Sequence, residues 1–108
     1  MKRKTIRNHK DFATTPEDPV VTDTCFIVKA KPAVKKDPRY GLIAAKRVFK
    51  LAVLRNRAKR LLRDWIAYNE DLMNPDMDYI FVARTSILNC SREQGRENLA
   101  RALKKISK

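Results

Sequence analysis

The sequence predicts a mixed α+β sandwich, one sheet with covering helices, in the order helix, two or three strands, long helix, strand, helix. Three observations predict it. Short runs rich in β-branched and aromatic residues are separated by breaker-rich loops. The stretch 48–69 contains neither Gly nor Pro, and strong helix formers dominate it. The last segment repeats apolar residues at helical spacing.

Residues 1–10 carry Lys2, Arg3, Lys4, Arg7 and Lys10, so the start reads as a basic arm, with 1–5 expected to be flexible. A short helical turn is expected over 6–13. Thr14-Thr15-Pro16-Glu17-Asp18-Pro19 is a loop. In the strand expected over 24–30, period-two alternation puts Phe26, Val28 and Ala30 on one face and Cys25, Ile27 and Lys29 on the other. Residues 31–39 hold two prolines and form a loop, and 40–45 make the next strand. The longest helix runs over 48–69. Asn74-Pro75-Asp76 breaks the chain, and the apolar run 79–83 suits a strand buried on both sides. Ser91 with Gln94 forms a capping box for a last helix on which Leu99, Leu103 and Ile106 share a face. Gly95 is an unfavourable residue inside that helix. Trp65, Phe81, Tyr79 and Phe26 stand where core residues belong.

Composition narrows the function. The 108 residues include 25 Lys+Arg against 12 Asp+Glu, a net charge of +13, with a pI near 10.2. With 44% hydrophobic residues the chain has the material for a core, so it is a basic folding domain and not a disordered polycation. One domain spanning 1–108 is expected. Such charge favours polyanionic partners, nucleic acid before an anionic membrane. No apolar run is long enough for a spanning helix or a secretory signal, so the expected compartment is the cytosol. Cys25, Cys90 and the single His9 cannot assemble a four-ligand zinc site. Both cysteines read as small hydrophobes, and His9 as a solvated side chain in a basic stretch.

The charge is also sorted. Between Asp37 and Asp64 there is no acidic residue, while Arg39, Lys46, Arg47, Lys50, Arg55, Arg57, Lys59, Arg60 and Arg63 accumulate. At about 100° per residue, Arg55, Asn56, Lys59, Arg60 and Arg63 share an arc of about 140°, with Leu51, Leu54, Ala58, Leu61, Leu62 and Trp65 opposite. Like charges at i, i+4 destabilise a helix by a few tenths of a kcal/mol per pair. A phosphate backbone reverses that sign, because arginines pair with it bidentately and release condensed counterions. Asn56, an amide among arginines, suits a base edge or a 2′-hydroxyl. Phe12, isolated in a polar stretch, is a candidate for base stacking, with packing of the first helix on the sheet as the other reading.

Tyr40-Gly41-Leu42, Ala45-Lys46-Arg47 and the run from Ala52 to Arg63 containing Arg55-Asn56-Arg57-Ala58-Lys59-Arg60 together resemble the signature of the bacterial ribonuclease P protein component. Lys10-Asp11-Phe12, Phe26-Ile27-Val28 and Asp78-Tyr79-Ile80-Phe81-Val82-Ala83-Arg84 extend the resemblance over about 6–106. The chain departs from it in lacking a glycine at Val48-Phe49-Lys50 and in carrying Pro16 near a second aromatic position of the family's first helix.

The resemblance implies three helices around a four-stranded sheet, αβββαβα, with a left-handed crossover carrying the signature helix. It implies a ribonucleoprotein in which a catalytic RNA subunit, with magnesium ions, cleaves the 5′ leader from precursor tRNA. By position, Lys46, Arg47, Arg55, Asn56, Arg57 and Arg60 would face that RNA, and Phe12, Lys29, Lys59 and Arg63 would border the leader. No catalytic side-chain set can be spaced from this sequence. A structural RNA-binding protein of ribosomal type and a nuclease using a carboxylate-held metal are the alternatives.

Overall fold

The structure is a computed structural model describing residues 4–6, 12–33 and 39–107. Five strands and two α-helices are formed by these residues: β1 (Lys4–Thr5), β2 (Val20–Thr22), β3 (Phe26–Pro32), β4 (Arg39–Ile43), α1 (Ala52–Tyr68), β5 (Met77–Ala83) and α2 (Arg92–Ile106). Single 3-10 turns at Glu70–Leu72 and Thr85–Asn89 follow α1 and β5. The strands make one mixed sheet in the order β1-β4-β5-β3-β2. β4 runs parallel to both β1 and β5, and β3 runs antiparallel to both β5 and β2. Since β4 and β5 are parallel neighbours, α1 is the crossover that joins them.

Register assigns the two faces of the sheet. Phe26, Val28 and Ala30 pair with Ala83, Phe81 and Tyr79, and Tyr79 and Phe81 pair onward with Tyr40 and Leu42. This is the core face. Against it pack Ala58, Leu62, Trp65 and Ile66 of α1 and Leu99, Ala102, Leu103 and Ile106 of α2. The expected alternation of 24–30 and the expected core aromatics are thus found. Ile80 is also buried, so β5 is covered on both sides as its apolar run required.

Several expectations are corrected. The sheet has five strands where four were expected. Lys4 and Thr5, placed in a flexible arm, pair in parallel with Arg39 and Tyr40, because the open edge of β4 offers unpaired backbone groups. Val20–Thr22, unassigned from sequence, pairs with Lys29, Val28 and Ile27. The short helix over 6–13 and His9 fall largely outside the described residues, while Ile6 itself donates its N–H to the Tyr40 carbonyl at 2.8 Å. α1 begins at Ala52, not 48, because Phe49 is buried and its N–H is taken by the Ala45 carbonyl at 2.8 Å. The region without a glycine is therefore a turn and a buried anchor ahead of the helix. Cys25 and Cys90, read as independent hydrophobes, are neighbours paired through sulphur with Cα atoms 7.1 Å apart.

Two contacts fix the layers. Trp65 is fully buried, tilted against Phe26 at 6.3 Å between ring centres. Its other side meets α2 at Gly95, where a Cβ would lie 1.9 Å from Trp65 Cε2. The glycine that seemed misplaced in a helix is what lets α2 approach that ring. At the far end of the sheet Asp78, 1% exposed, accepts from the Arg39 N–H at 2.7 Å and lies 3.4 Å from its guanidinium, tying β4 to β5. Among the described residues no helix is long and apolar enough to cross a membrane.

Gly95→Ala should destabilise the fold by about 3 kcal/mol or more, because the new methyl has no room beside a ring that is itself immobilised. Urea denaturation followed by circular dichroism reads this directly, and a loss under about 0.5 kcal/mol would show that the two helices can part at no penalty.

Candidate nucleic-acid interface

α1 turns one arc to the core and the other to solvent. Ala58, Leu62, Trp65 and Ile66 are buried, whereas Asn56, Arg57, Arg60 and Arg63 are exposed and Arg55 and Lys59 half-buried. Lys46 and Arg47 are exposed in the turn that leads into the helix. Among the described residues no carboxylate forms an ion pair with Lys46, Arg47, Arg57, Lys59, Arg60 or Arg63. The one acid on the helix, Asp64, is engaged elsewhere. Its two oxygens accept from Arg96 at 3.1 and 3.2 Å, and Arg92 of α2 lies 3.9 Å away. Arg96 also lies over the Tyr68 ring at 4.3 Å, so this cluster ties α1 to α2.

The ends of the two helices are built oppositely. α2 opens on Ser91, whose hydroxyl accepts from the Gln94 N–H at 3.1 Å, has Glu93 in its first turn and closes on Lys104 and Lys105. Each of these suits the helix dipole. α1 opens on Leu51 with no side-chain cap and no acid in its first turn, and has no base in its last. Its positive end is therefore left uncompensated, next to Lys46, Arg47 and Lys50. That end of the molecule is a place where phosphate oxygens are welcome.

One predicted residue already has partners within the chain. Arg55 donates to the carbonyls of Phe49 at 2.8 Å and Lys50 at 3.4 Å, so its guanidinium holds the turn ahead of α1. The resemblance placed it at the RNA, and neither that nor its position on the wheel carries information about carbonyls five and six residues earlier. Burial pushes the Tyr40 phenol above its ordinary value, with the nearby guanidinium of Arg63 acting in the opposite direction.

The residues assigned to the leader divide between two places. Lys29 projects from the sheet face opposite the helices, as its alternation implied, in company with Ile27 and Val82. Phe12 lies on the same face, its ring over Gly41, where a Cβ would approach within 2.3 Å. Gly41 pairs with Ile80 and Ile80 with Lys29, which puts ring and ammonium on one transverse row two strand spacings, about 10 Å, apart. Lys59 and Arg63 instead stand on α1, Arg63 against the Tyr40 edge of the sheet. Sequence reading missed Lys31, which shares the Lys29 face and reaches the Ala13 carbonyl at 3.0 Å, and Arg92, which α2 brings beside α1. The strand alternation that placed Lys29 also carries Lys31; nothing local signals Arg92.

Among the described residues no three His, Cys, Asp or Glu side chains converge on a point where they could hold a metal ion.

The family model described as Ribonuclease P matches residues 1–107. The chain is 35% identical over 100 residues to the "Ribonuclease P protein component" of Lactobacillus delbrueckii subsp. bulgaricus, covering 91% of this chain and 83% of that one. It is 32% identical over 106 residues to the protein of the same name from Shouchella clausii, covering 96% and 86%. In three dimensions it is similar to the RNase P protein of Staphylococcus aureus, with a TM-score of 0.77 at 24% identity over 96% of this chain and 95% of that chain. The RNase P protein of Thermotoga maritima gives a TM-score of 0.78 at 22% identity over 95% and 97%. A basic, uncapped helix carrying Arg55-Asn56-Arg57 and Lys59-Arg60, packed as the crossover of a mixed sheet, is thus found where sequence and fold agree, and the chain belongs to the ribonuclease P protein family.

Proposed function

We propose that this chain is the protein subunit of a ribonucleoprotein ribonuclease P, acting as a single RNA-binding domain over 1–108 in the cytoplasm. It binds the catalytic RNA and the 5′ leader of precursor tRNA, and so assists 5′-end maturation. The observation that carries this reading is the cationic arc of α1, in which no carboxylate of the described residues pairs with Arg57, Lys59, Arg60 or Arg63, continued by Lys46 and Arg47 and by an uncompensated helix end. In this reading Lys46, Arg47, Asn56, Arg57 and Arg60 face the catalytic RNA, while Arg55 shapes the turn that presents the first two. Phe12 and Lys29 border the leader on the sheet face opposite the helices, with Lys59 and Arg63 on the α1 side of the β4 edge. Magnesium ions belong to the RNA, and the protein contributes position and electrostatics. The β4–α1–β5 crossover takes the left-handed sense expected for the family.

The purified protein should leave precursor tRNA intact on its own and restore cleavage at moderate magnesium when given the matching RNA. Cleavage by protein alone would contradict the assignment. Arg57→Ala and Arg60→Ala should each weaken RNA binding and reduce the log–log salt slope by about 0.7–0.9 per lost phosphate contact. An unchanged slope would take those residues out of the interface.

Arg55→Ala separates structure from binding. Losing a charged donor to two carbonyls should lower stability by about 1–2 kcal/mol in urea, whereas Arg60→Ala should leave stability within about 0.5 kcal/mol of the parent. Equal effects would mean that Arg55 holds nothing. Phe12→Ala should weaken binding of leader-bearing substrate more than of mature tRNA; a matched loss would mark the ring as packing over Gly41 only.

A further inference from the structure

α1 and the first turn of α2 enclose a groove of about 420 Å³, within the range of small-ligand pockets, about 300–1,000 Å³. Its walls are chemically sorted. Val53 and Leu61 supply aliphatic surface, Arg57, Arg60 and Arg92 supply guanidinium groups, and Asp64 supplies a carboxylate. Val53 is 68% exposed, the most open of the large apolar side chains among the described residues. Val48 and Leu51 are exposed as well, so three of the six such side chains fall within one short stretch, among Lys46, Arg47 and Lys50. Apolar surface gathered among cations suits a ligand that is both flat and apolar and negatively charged.

Asp64 narrows the choice. A bare phosphate would make no use of the carboxylate, whereas a nucleobase with an exocyclic amine could donate to it. Arg96 already holds both carboxylate oxygens, at 3.1 and 3.2 Å. Each oxygen keeps one further lone pair, so the carboxylate can still accept from an amine. Adenine, cytosine and guanine carry such an amine; uracil does not.

We propose that this groove receives one unstacked nucleotide of the partner RNA. Its base lies against Val53 and Leu61, its exocyclic amine donates to Asp64, and its flanking phosphates lie on Arg57 and Arg60. The proposal rests on the RNA-binding function above and adds to it a base-selective element that the cationic arc alone does not supply.

Val53→Ala in the full-length protein, titrated with the matching RNA, should weaken binding about 5- to 10-fold. Its salt slope should stay the same, because no phosphate contact is lost. Unchanged affinity, or a loss accompanied by a shallower slope, overturns the nucleotide site. Arg57→Ala and Arg60→Ala in the same titration keep the two ideas apart. Shallower slopes for the arginines beside an unaffected Val53→Ala would retain the cationic surface and remove the pocket. Photoreactive p-benzoylphenylalanine in place of Val53 should crosslink to one nucleotide; scattered or absent crosslinks also overturn the site. Exchanging that nucleotide for uridine should weaken the parent protein several-fold and leave Asp64→Ala unaffected. Equal losses in both would overturn the part assigned to Asp64.

Discussion

The position of α1 depends on Trp65. The ring is held between Phe26 of the sheet and the bare backbone of Gly95 on α2, and a side chain of that size, fully buried, admits no rotation of the helix about its axis. With Trp65 pointing inward, Asn56, Arg57, Arg60 and Arg63 have no direction left but outward. The charge on the surface is therefore a consequence of the packing beneath it. The same contact sets the spacing of α1 from α2, and so brings Arg92 across to face Asp64.

Two helices of one chain obey different rules. α2 has its cap, its acid at the start and its bases at the end, each contributing a few tenths to about 1 kcal/mol. α1 forgoes all three and adds like charges one turn apart. A core with Trp65, Phe26, Phe81 and Leu62 fully buried can offset a deficit of that size, since each large buried side chain contributes about 1.5–3 kcal/mol. The asymmetry makes sense when α1 is meant to meet a polyanion and α2 to hold it in place.

Much of this was legible in the sequence, and the remainder failed for identifiable reasons. The core face of β3, the double burial of β5 and the Ser91 cap follow from local pattern, because period and capping chemistry are local. β1 and β2 did not follow, since strands of two and three residues have no period of their own and exist only through their partners' open edges. The start of α1 was placed four residues early because helix formers at 48–51 say nothing about Phe49 being needed in the core. The cationic arc was legible, but the two carbonyls that Arg55 meets within the chain leave no mark in composition. Phe12 is where its two readings meet, a ring packed on Gly41 and yet only half-buried on the face opposite the helices.

The crowding of positive charge on α1 has a thermodynamic counterpart in ionic strength. Added electrolyte damps the mutual repulsion of Lys59, Arg60 and Arg63 and so firms the isolated protein, while the same electrolyte erodes the counterion gain that draws it to a nucleic acid. Folding and assembly thus respond to salt with opposite signs. A protein of this design is at its most comfortable alone in brine and at its most useful in dilute buffer, and the crossover between those regimes is written into the amino acids of a single helical face.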